Sequence, residues 1–331
     1  MRSLTELPKV DLHVHLESTI RWSTVREIAA ANGAGIPEDG PPAAFAGFRA
    51  FADHGALIRG CLRRPEDFAR VAVEFCADEA EHGVRYAEVT FTAASHEERL
   101  GRPGMPLESV LRGLAEGRDR YGVECRVILD HSRRRSVRRA WRTLELARRY
   151  AADGVVAIGL AGDESYPLAP FAEACAAARE AGVRLVHHAG EAAGPASVRE
   201  AVEVGHAERL GHGFRALEDP ELVAELRERA IPLEVCPSSN VALGLVPSLA
   251  AHPLPRLLHA GLHVTVNTDI PAVVGTTLTA EYARISTAFG FTEGDLGGLS
   301  RAAIDASFAP EGTKARLHRE VDAWLADGEA P

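Results

Sequence analysis

A rhythm constrains this chain more than any single residue does. Eight apolar runs of four to eight residues, bounded by turn residues, alternate with longer arginine- and alanine-rich stretches of helical period. The runs are Val10–Leu16, Val84–Phe91, Glu124–Asp130, Val155–Leu160, Arg184–His188, Arg209–His212, Leu233–Cys236 and His263–Asn267. Between them lie helix candidates such as Leu107–Tyr121, Val137–Ala151, Phe171–Ala181, Leu222–Arg229 and Leu254–Ala260. Crossovers of that length make neighbouring strands parallel, which leaves a closed barrel or a doubly wound sheet. Polar residues end nearly every run instead of gathering at one switch point. The expected fold is therefore α/β, a (β/α)8 TIM-type barrel. The chain of 331 residues suits such a barrel with insertions, and 46% hydrophobic residues can fill its core. No linker divides it, so one domain over residues 1–331 is expected. The stretch Gly33–Gly60, with its Gly-Pro clusters and Phe45, Phe48 and Phe51, breaks the rhythm after the first strand. It reads as extra helices inserted over the barrel mouth, a lid, or else as a packed surface excursion.

Composition removes several classes of function. A net charge of −10 disfavours nucleic acid and anionic membrane as partners. Met1–Val10 lacks an apolar signal segment, and no run approaches the ~18–20 apolar residues of a span. Cys61, Cys76, Cys125, Cys175 and Cys236 are scattered and never form a CxxC pair, against a disulfide framework or a thiolate zinc site. A cytoplasmic location is the expectation, with a small molecule and water as partners and a homo-oligomer left open. Lys9 and Lys314 are the only lysines. Neither lies in a P-loop context or where a Schiff-base or metal-bridging lysine is needed.

The residues that carry chemistry stand at strand ends. In Asp11-Leu12-His13-Val14-His15, alternation puts His13 and His15 on one face, pointing into the barrel. Paired imidazoles in an apolar strand are costly unless something binds their nitrogens, so they read as metal ligands. His188 closes the fifth run, His212 the sixth, and Asp269 follows the eighth, all on the face where barrels place catalytic groups. Three imidazoles and one carboxylate suit Zn²⁺ with a position left for water, whose pKa falls to about 7. His54, His82, His96, His252, His259, His263 and His318 lack this setting and receive no role.

These residues resemble the adenosine and adenine deaminase family of metal-dependent amidohydrolases. The matching elements are DLHVHLE at Asp11–Glu17, LAGDE at Leu160–Glu164, HAGE at His188–Glu191, ERLGHG at Glu208–Gly213, CPSSN at Cys236–Asn240 and NTD at Asn267–Asp269. The resemblance implies one zinc per chain, held by His13, His15, His188 and Asp269. It makes Glu191 the acid that protonates a ring nitrogen while hydroxide attacks the amine-bearing carbon. His212 becomes the group that orients that hydroxide, with Asp269 as a further acceptor, and the Gly162 amide contacts the purine edge. Physically, displacing an amine from an aromatic ring requires Glu191 to begin protonated, hence in a partly dry pocket. The mononuclear reading holds because Val155–Leu160 carries no lysine.

Two departures bear on substrate. Where the family has a second aspartate that bonds purine N7, this chain has Ile270, which leaves a buried N7 unpaired at ~1–3 kcal/mol. The expected substrate is therefore not plain adenosine but another purine or purine-like base or derivative, including rings with carbon in place of N7. Glu17-Ser18 replaces the Asp-Gly of nucleoside deaminases, and a glutamate there occupies space a ribose needs. Arg133, Arg134, Arg135, Arg138 and Arg139 follow the third strand and read either as a solvated helix start or as anion recognition. Ser238, Ser239 and Asn240 are expected to position loops by hydrogen bonding. Thr90 and Phe91 are expected to line the mouth. The alternatives to a deaminase are a zinc amidohydrolase cleaving a cyclic amide or other C–N bond, and a non-catalytic metal- or ligand-binding barrel.

Overall fold

The structure, a computed structural model, describes residues 2–37, 40, 45 and 48–326. Its eight strands lie in sequential order, each parallel to the next. They are β1 (Lys9–His15), β2 (Val84–Phe91), β3 (Glu124–Ser132), β4 (Val155–Ala161), β5 (Arg184–Ala189), β6 (Arg209–His212), β7 (Leu233–Val235) and β8 (Val264–Val266). The sheet returns on itself just past β8. Val14 bridges Asp269, His15 N–H donates to the Asp269 carbonyl at 2.8 Å, and Asp269 N–H donates to the His13 carbonyl at 2.8 Å. The protein is a (β/α)8 barrel, as the alternation required.

Among the described residues three α-helices separate β1 from β2: α1 (Trp22–Ala31), α2 (Phe48–Cys61) and α3 (Pro65–Glu81). Then come α4 (Ala93–Leu100), α5 (Met105–Tyr121), α6 (Val137–Arg149), α7 (Ala172–Glu180), α8 (Pro195–Glu203) and α9 (Pro220–Glu228). The chain ends through α10 (Pro237–Ala242), α11 (Leu254–His259), α12 (Pro271–Val274), α13 (Leu278–Phe289), α14 (Glu293–Ala306) and α15 (Glu311–Ala326). Of the stretch expected to cover the mouth, residues 38, 39, 41–44, 46 and 47 lie outside the described residues. Helix α2 does lie at the mouth, where Arg49, Phe51, Asp53 and Arg59 bound the central cavity.

Two strands, β2 and β6, fall where the pattern placed them. Strand β3 runs beyond the expected Asp130 to Ser132, which brings both residues to the cavity wall. Strand β7 stops at Val235, because Pro237 opens a helix in its first turn. Thr90 and Phe91 are buried away from the mouth, and Thr92 lines it instead. Among the described residues no helix is long and apolar enough to cross a membrane.

Beneath the site the barrel core is charged. Arg209 is buried and reaches Glu88 Oε2 at 2.5 Å, Glu234 Oε1 at 2.7 Å and the Ala306 carbonyl at 3.0 Å. Its guanidinium lies 3.9 Å from the Phe308 ring centre. One side chain thus ties β2, β6 and β7 to the end of α14.

Candidate active site

Strand β1 delivers His13 and His15 to the C-terminal mouth, where β5 adds His188, β6 adds His212 and the turn after β8 adds Asp269. The His15 and His188 Nε2 atoms are 3.1 Å apart. Asp269 Oδ1 lies 3.5 Å from His15 Nε2 and 3.7 Å from His13 Nε2. Ligand atoms of His13, His15 and Asp269 lie within 4.8 Å of one another, as do those of His13, His188 and His212. Apart from the His15–His188 pair at 3.1 Å, these spacings are longer than ordinary hydrogen bonds, and the set suits groups arranged around a common ion.

Three observations show that these groups fit a zinc ion. His13 Nε2 is buried without a hydrogen-bond partner among the described residues. Its Nδ1 donates to Glu234 Oε2 at 2.8 Å, so Nε2 offers a lone pair to the centre, a carboxylate–histidine pairing typical of metal sites. Burial, reinforced by the neighbouring imidazoles, holds His188 far below the usual histidine range and therefore neutral. Cys236 also stands near His212 and Asp269, but burial and the Asp269 charge keep its thiol protonated, a poor ligand.

Two of these residues have unusual backbones. His212 has φ 64° and Asp269 φ 61°, left-handed conformations that cost on the order of 1–3 kcal/mol in non-glycine residues and concentrate at functional sites. Gly211, between the two parts of the LGHG turn, is required by space: a Cβ there would stand 2.6 Å from His13 Cε1. Gly162 has φ +90° and lines the cavity.

Hydrogen-bond polarity sets the tautomer of His212. The Leu254 N–H can only donate, so His252 Nδ1, 3.1 Å away, accepts. His252 Nε2–H then donates to Asn240 Oδ1 at 3.2 Å, which turns the Asn240 amide towards His212 Nδ1 at 3.3 Å. His212, lowered to about 3 chiefly by burial, is neutral and carries its proton on Nε2. It faces the site as a donor. His252 was given no role in the sequence because its partner lies twelve residues away in a separate turn. Replacing His252 with phenylalanine is expected to release the His212 tautomer and lower kcat about tenfold or more with KM little changed. A larger change in KM than in kcat would contradict this relay.

Glu191 sits 3.6 Å from His212 Nε2 and is 8% exposed. Burial, then the charges of Asp269 and Glu164, push its carboxyl well above the usual range, so it holds a proton. Its loop is pinned by Glu164, which accepts from the amides of Gly190, Glu191, Ala192 and Ala193 at 2.7–3.3 Å and from Ser197 Oγ at 2.5 Å. Ser239 Oγ donates to Asp269 Oδ2 at 2.5 Å.

Substrate-side residues divide. Glu17 and Gly162 line the cavity of about 350 Å³, within the range of small-molecule sites. Burial alone would raise the Glu17 carboxyl, but His96 outweighs it and holds it below the usual range. Arg99 can only donate to His96 Nδ1, so His96 Nε2–H donates to Glu17 at 3.0 Å. Ile270 is 1% exposed and does not bound the cavity, although its neighbour Asp269 does. Of the arginine cluster, Arg133 is buried, with one Nη donating to the His188 carbonyl at 2.5 Å, and Arg138 stays away from the cavity. Asp130, missed in the sequence, is buried against the cavity with Oδ1 unpartnered among the described residues, and burial raises its carboxyl.

A barrel with a histidine–aspartate cluster and a buried acid at its C-terminal mouth defines the metal-dependent hydrolase class. Residues 8–324 match the model of the adenosine deaminase family, and the chain belongs to that family, enzymes that hydrolyse C–N bonds as aminohydrolases. It is 38% identical over 330 residues to an adenine deaminase of Streptomyces coelicolor, covering 97% of each chain. The crystal structure of adenine deaminase from Arthrobacter aurescens superposes with a TM-score of 0.87 at 31% identity, covering 96% of this chain and 99% of that one. An amidohydrolase from Burkholderia ambifaria, solved with bound Zn, superposes at 0.88 with 30% identity, covering 98% and 93%.

Proposed function

We propose that this chain is a zinc-dependent hydrolytic deaminase of an amino-substituted N-heterocycle, a purine or purine-like base or derivative other than plain adenosine. The observation that carries the reading is a buried, proton-holding Glu191 beside a neutral donor, His212, and a convergent set of three imidazoles and a carboxylate. The described residues form one barrel domain, with helix α2 over its mouth.

His13, His15, His188 and Asp269 would hold one zinc, which when bound supplies the Lewis acidity that makes water nucleophilic at neutral pH. Glu191 gives its proton to the ring nitrogen beside the amine-bearing carbon and so offsets the aromaticity lost on attack. His212 Nε2–H steers the attacking oxygen, and Asp269, braced by Ser239, accepts a proton from it. The Gly162 amide meets the ring edge. Water adds, the proton taken by Asp269 passes to the amine so that ammonia leaves, and the hydroxyl proton returns to Glu191 as the ring keeps a carbonyl.

The match to adenine deaminases supports a purine-type ring, and Glu17, locked to His96, lines the cavity that would receive it. Ile270 leaves the position after Asp269 without a polar group. Ammonia release across aminopurines, aminopyrimidines and aminopterins tests the reading. Purine-type amines should turn over, a chelator should abolish turnover, and added zinc should restore it. Zinc bound without turnover of any heterocyclic amine would overturn it. Because Ile270 is buried off the cavity wall, Ile270→Asp should leave the preference between adenine compounds and their 7-deaza analogues little changed; a shift of about one to two decades would place the position at the ring.

A further inference from the structure

We propose that the outer half of the cavity recognises an oxyanion, a carboxylate or a phosphate, carried by the part of the substrate that points away from the reacting carbon. The inference rests on the aminohydrolase reading above and names a feature of its substrate.

Five arginines bound the cavity: Arg49 and Arg59 from α2, and Arg134, Arg135 and Arg139 from the end of β3 and the start of α6. They gather there although the chain carries a net charge of −10. Two are committed, Arg49 to Asp53 at 3.1 Å and Arg139 to Glu98. Arg59, Arg134 and Arg135 have no carboxylate within ion-pair distance among the described residues, and the Arg134 guanidinium rests 5.6 Å from the Tyr166 ring centre. Elsewhere arginines are commonly paired along their own helices, as Arg70 is with Glu74, Arg120 with Glu116, and Arg229 with Glu225.

The acids of the same cavity do not cancel this charge. Among the described residues Glu17 is taken by His96 and Asp53 by Arg49, Asp130 is buried with its carboxyl raised by that burial, and Glu191 and Asp269 belong to the chemistry at the floor. Arg59 acts on Glu17 and Asp130 through space but bonds neither. A neutral ring seated on the floor makes no use of three uncommitted guanidinium groups at the rim. Guanidinium presents paired donors that match the two oxygens of a carboxylate or phosphate, and charge-assisted bonds of that kind gain strength in a half-enclosed cleft.

The test compares kcat/KM of the zinc-loaded enzyme for adenosine 5′-monophosphate against adenosine, and for adenosine 5′-carboxylate against its neutral 5′-carboxamide. At least one anion should exceed its neutral partner by about tenfold at low salt, and the better arm distinguishes phosphate from carboxylate. That ratio should collapse in ~1 M salt, where the Debye length is about 3 Å. It should collapse equally in an Arg59→Gln/Arg135→Gln double variant and persist in Arg118→Gln, an exposed partner of Asp119 that does not line the cavity. A ratio near one, or one indifferent to salt and to these arginines, overturns the inference while turnover of neutral bases leaves the aminohydrolase reading standing. If no heterocyclic amine turns over, that reading falls, and calorimetry with inosine 5′-monophosphate against inosine decides the inference alone: tenfold tighter binding of the anion upholds it, and equal affinity ends it.

Discussion

Glu191→Gln is expected to lower kcat by about 10²–10⁴-fold while leaving the barrel and its metal set intact. Glutamine keeps the size of the side chain and can hydrogen-bond a ring nitrogen, but it cannot hand over a proton. The reaction therefore loses its general acid and little else. The stability sign separates this from damage to the fold. Burial and the charges of Asp269 and Glu164 raise the Glu191 carboxyl above its unfolded value. The stability tied to that proton is present in full below the unfolded pKa and is lost as pH rises through the folded one. Above pH ~5, glutamine should therefore match or exceed the parent in thermal melting. In the parent, kcat/KM should fall on the alkaline side as Glu191 ionises, and the variant should lose that limb. Ammonia release and melting curves across pH measure both. A variant within tenfold of the parent, or one that melts early, would take the acid's role from Glu191.

The barrel was legible because its signal is local. Alternation, turn residues and helical period act within ten or fifteen residues, so β2 and β6 could be placed to the residue. His13 and His15 were legible for the same reason, since two residues along a strand share a face. What supports them was not legible. Glu234 lies 221 residues from His13, and His96 lies 79 from Glu17. Within AASHEERL, His96 reads as one more polar position on an exposed helix, whereas α4 buries it against Phe68 and Phe91. Glu164 stood in a recognised motif, yet its work is to gather amides of a loop some 26–29 residues on. One signal was available. A lone glutamate inside the apolar run Leu233–Cys236 demands a partner, because an unpaired buried charge is prohibitive. Ile270 was legible as a departure, but its removal from the cavity wall depends on how the turn after β8 directs its side chain.

Arg209→Met carries the largest expected loss of stability, about 3–5 kcal/mol. The arginine is the shared counter-charge of Glu88 and Glu234, and all three are buried. Methionine fills most of the volume but leaves two carboxylates facing each other across the barrel without a cation. Against a typical total of ~5–15 kcal/mol, that brings the barrel near its threshold. The pH dependence identifies the cause. In the parent, burial would raise Glu234, but the Arg209 charge and the His13 hydrogen bond outweigh it and hold it low. A lowered carboxyl contributes stability above its unfolded pKa and loses it as pH falls through the folded one. The variant loses that contribution, so the gap between the two proteins should be widest near neutrality and narrow below pH ~4–5. Glu88→Gln should recover part of the loss in the Arg209→Met background while destabilising the parent. Denaturant melts of the four proteins give the coupling directly. The damage should also travel upward: a protonated Glu234 no longer orients His13 as a carboxylate acceptor, and zinc affinity should fall ~10–100-fold. Loss of stability with zinc affinity unchanged would show that the charged core supports the fold alone and that the path from Arg209 through Glu234 to His13 carries nothing to the site.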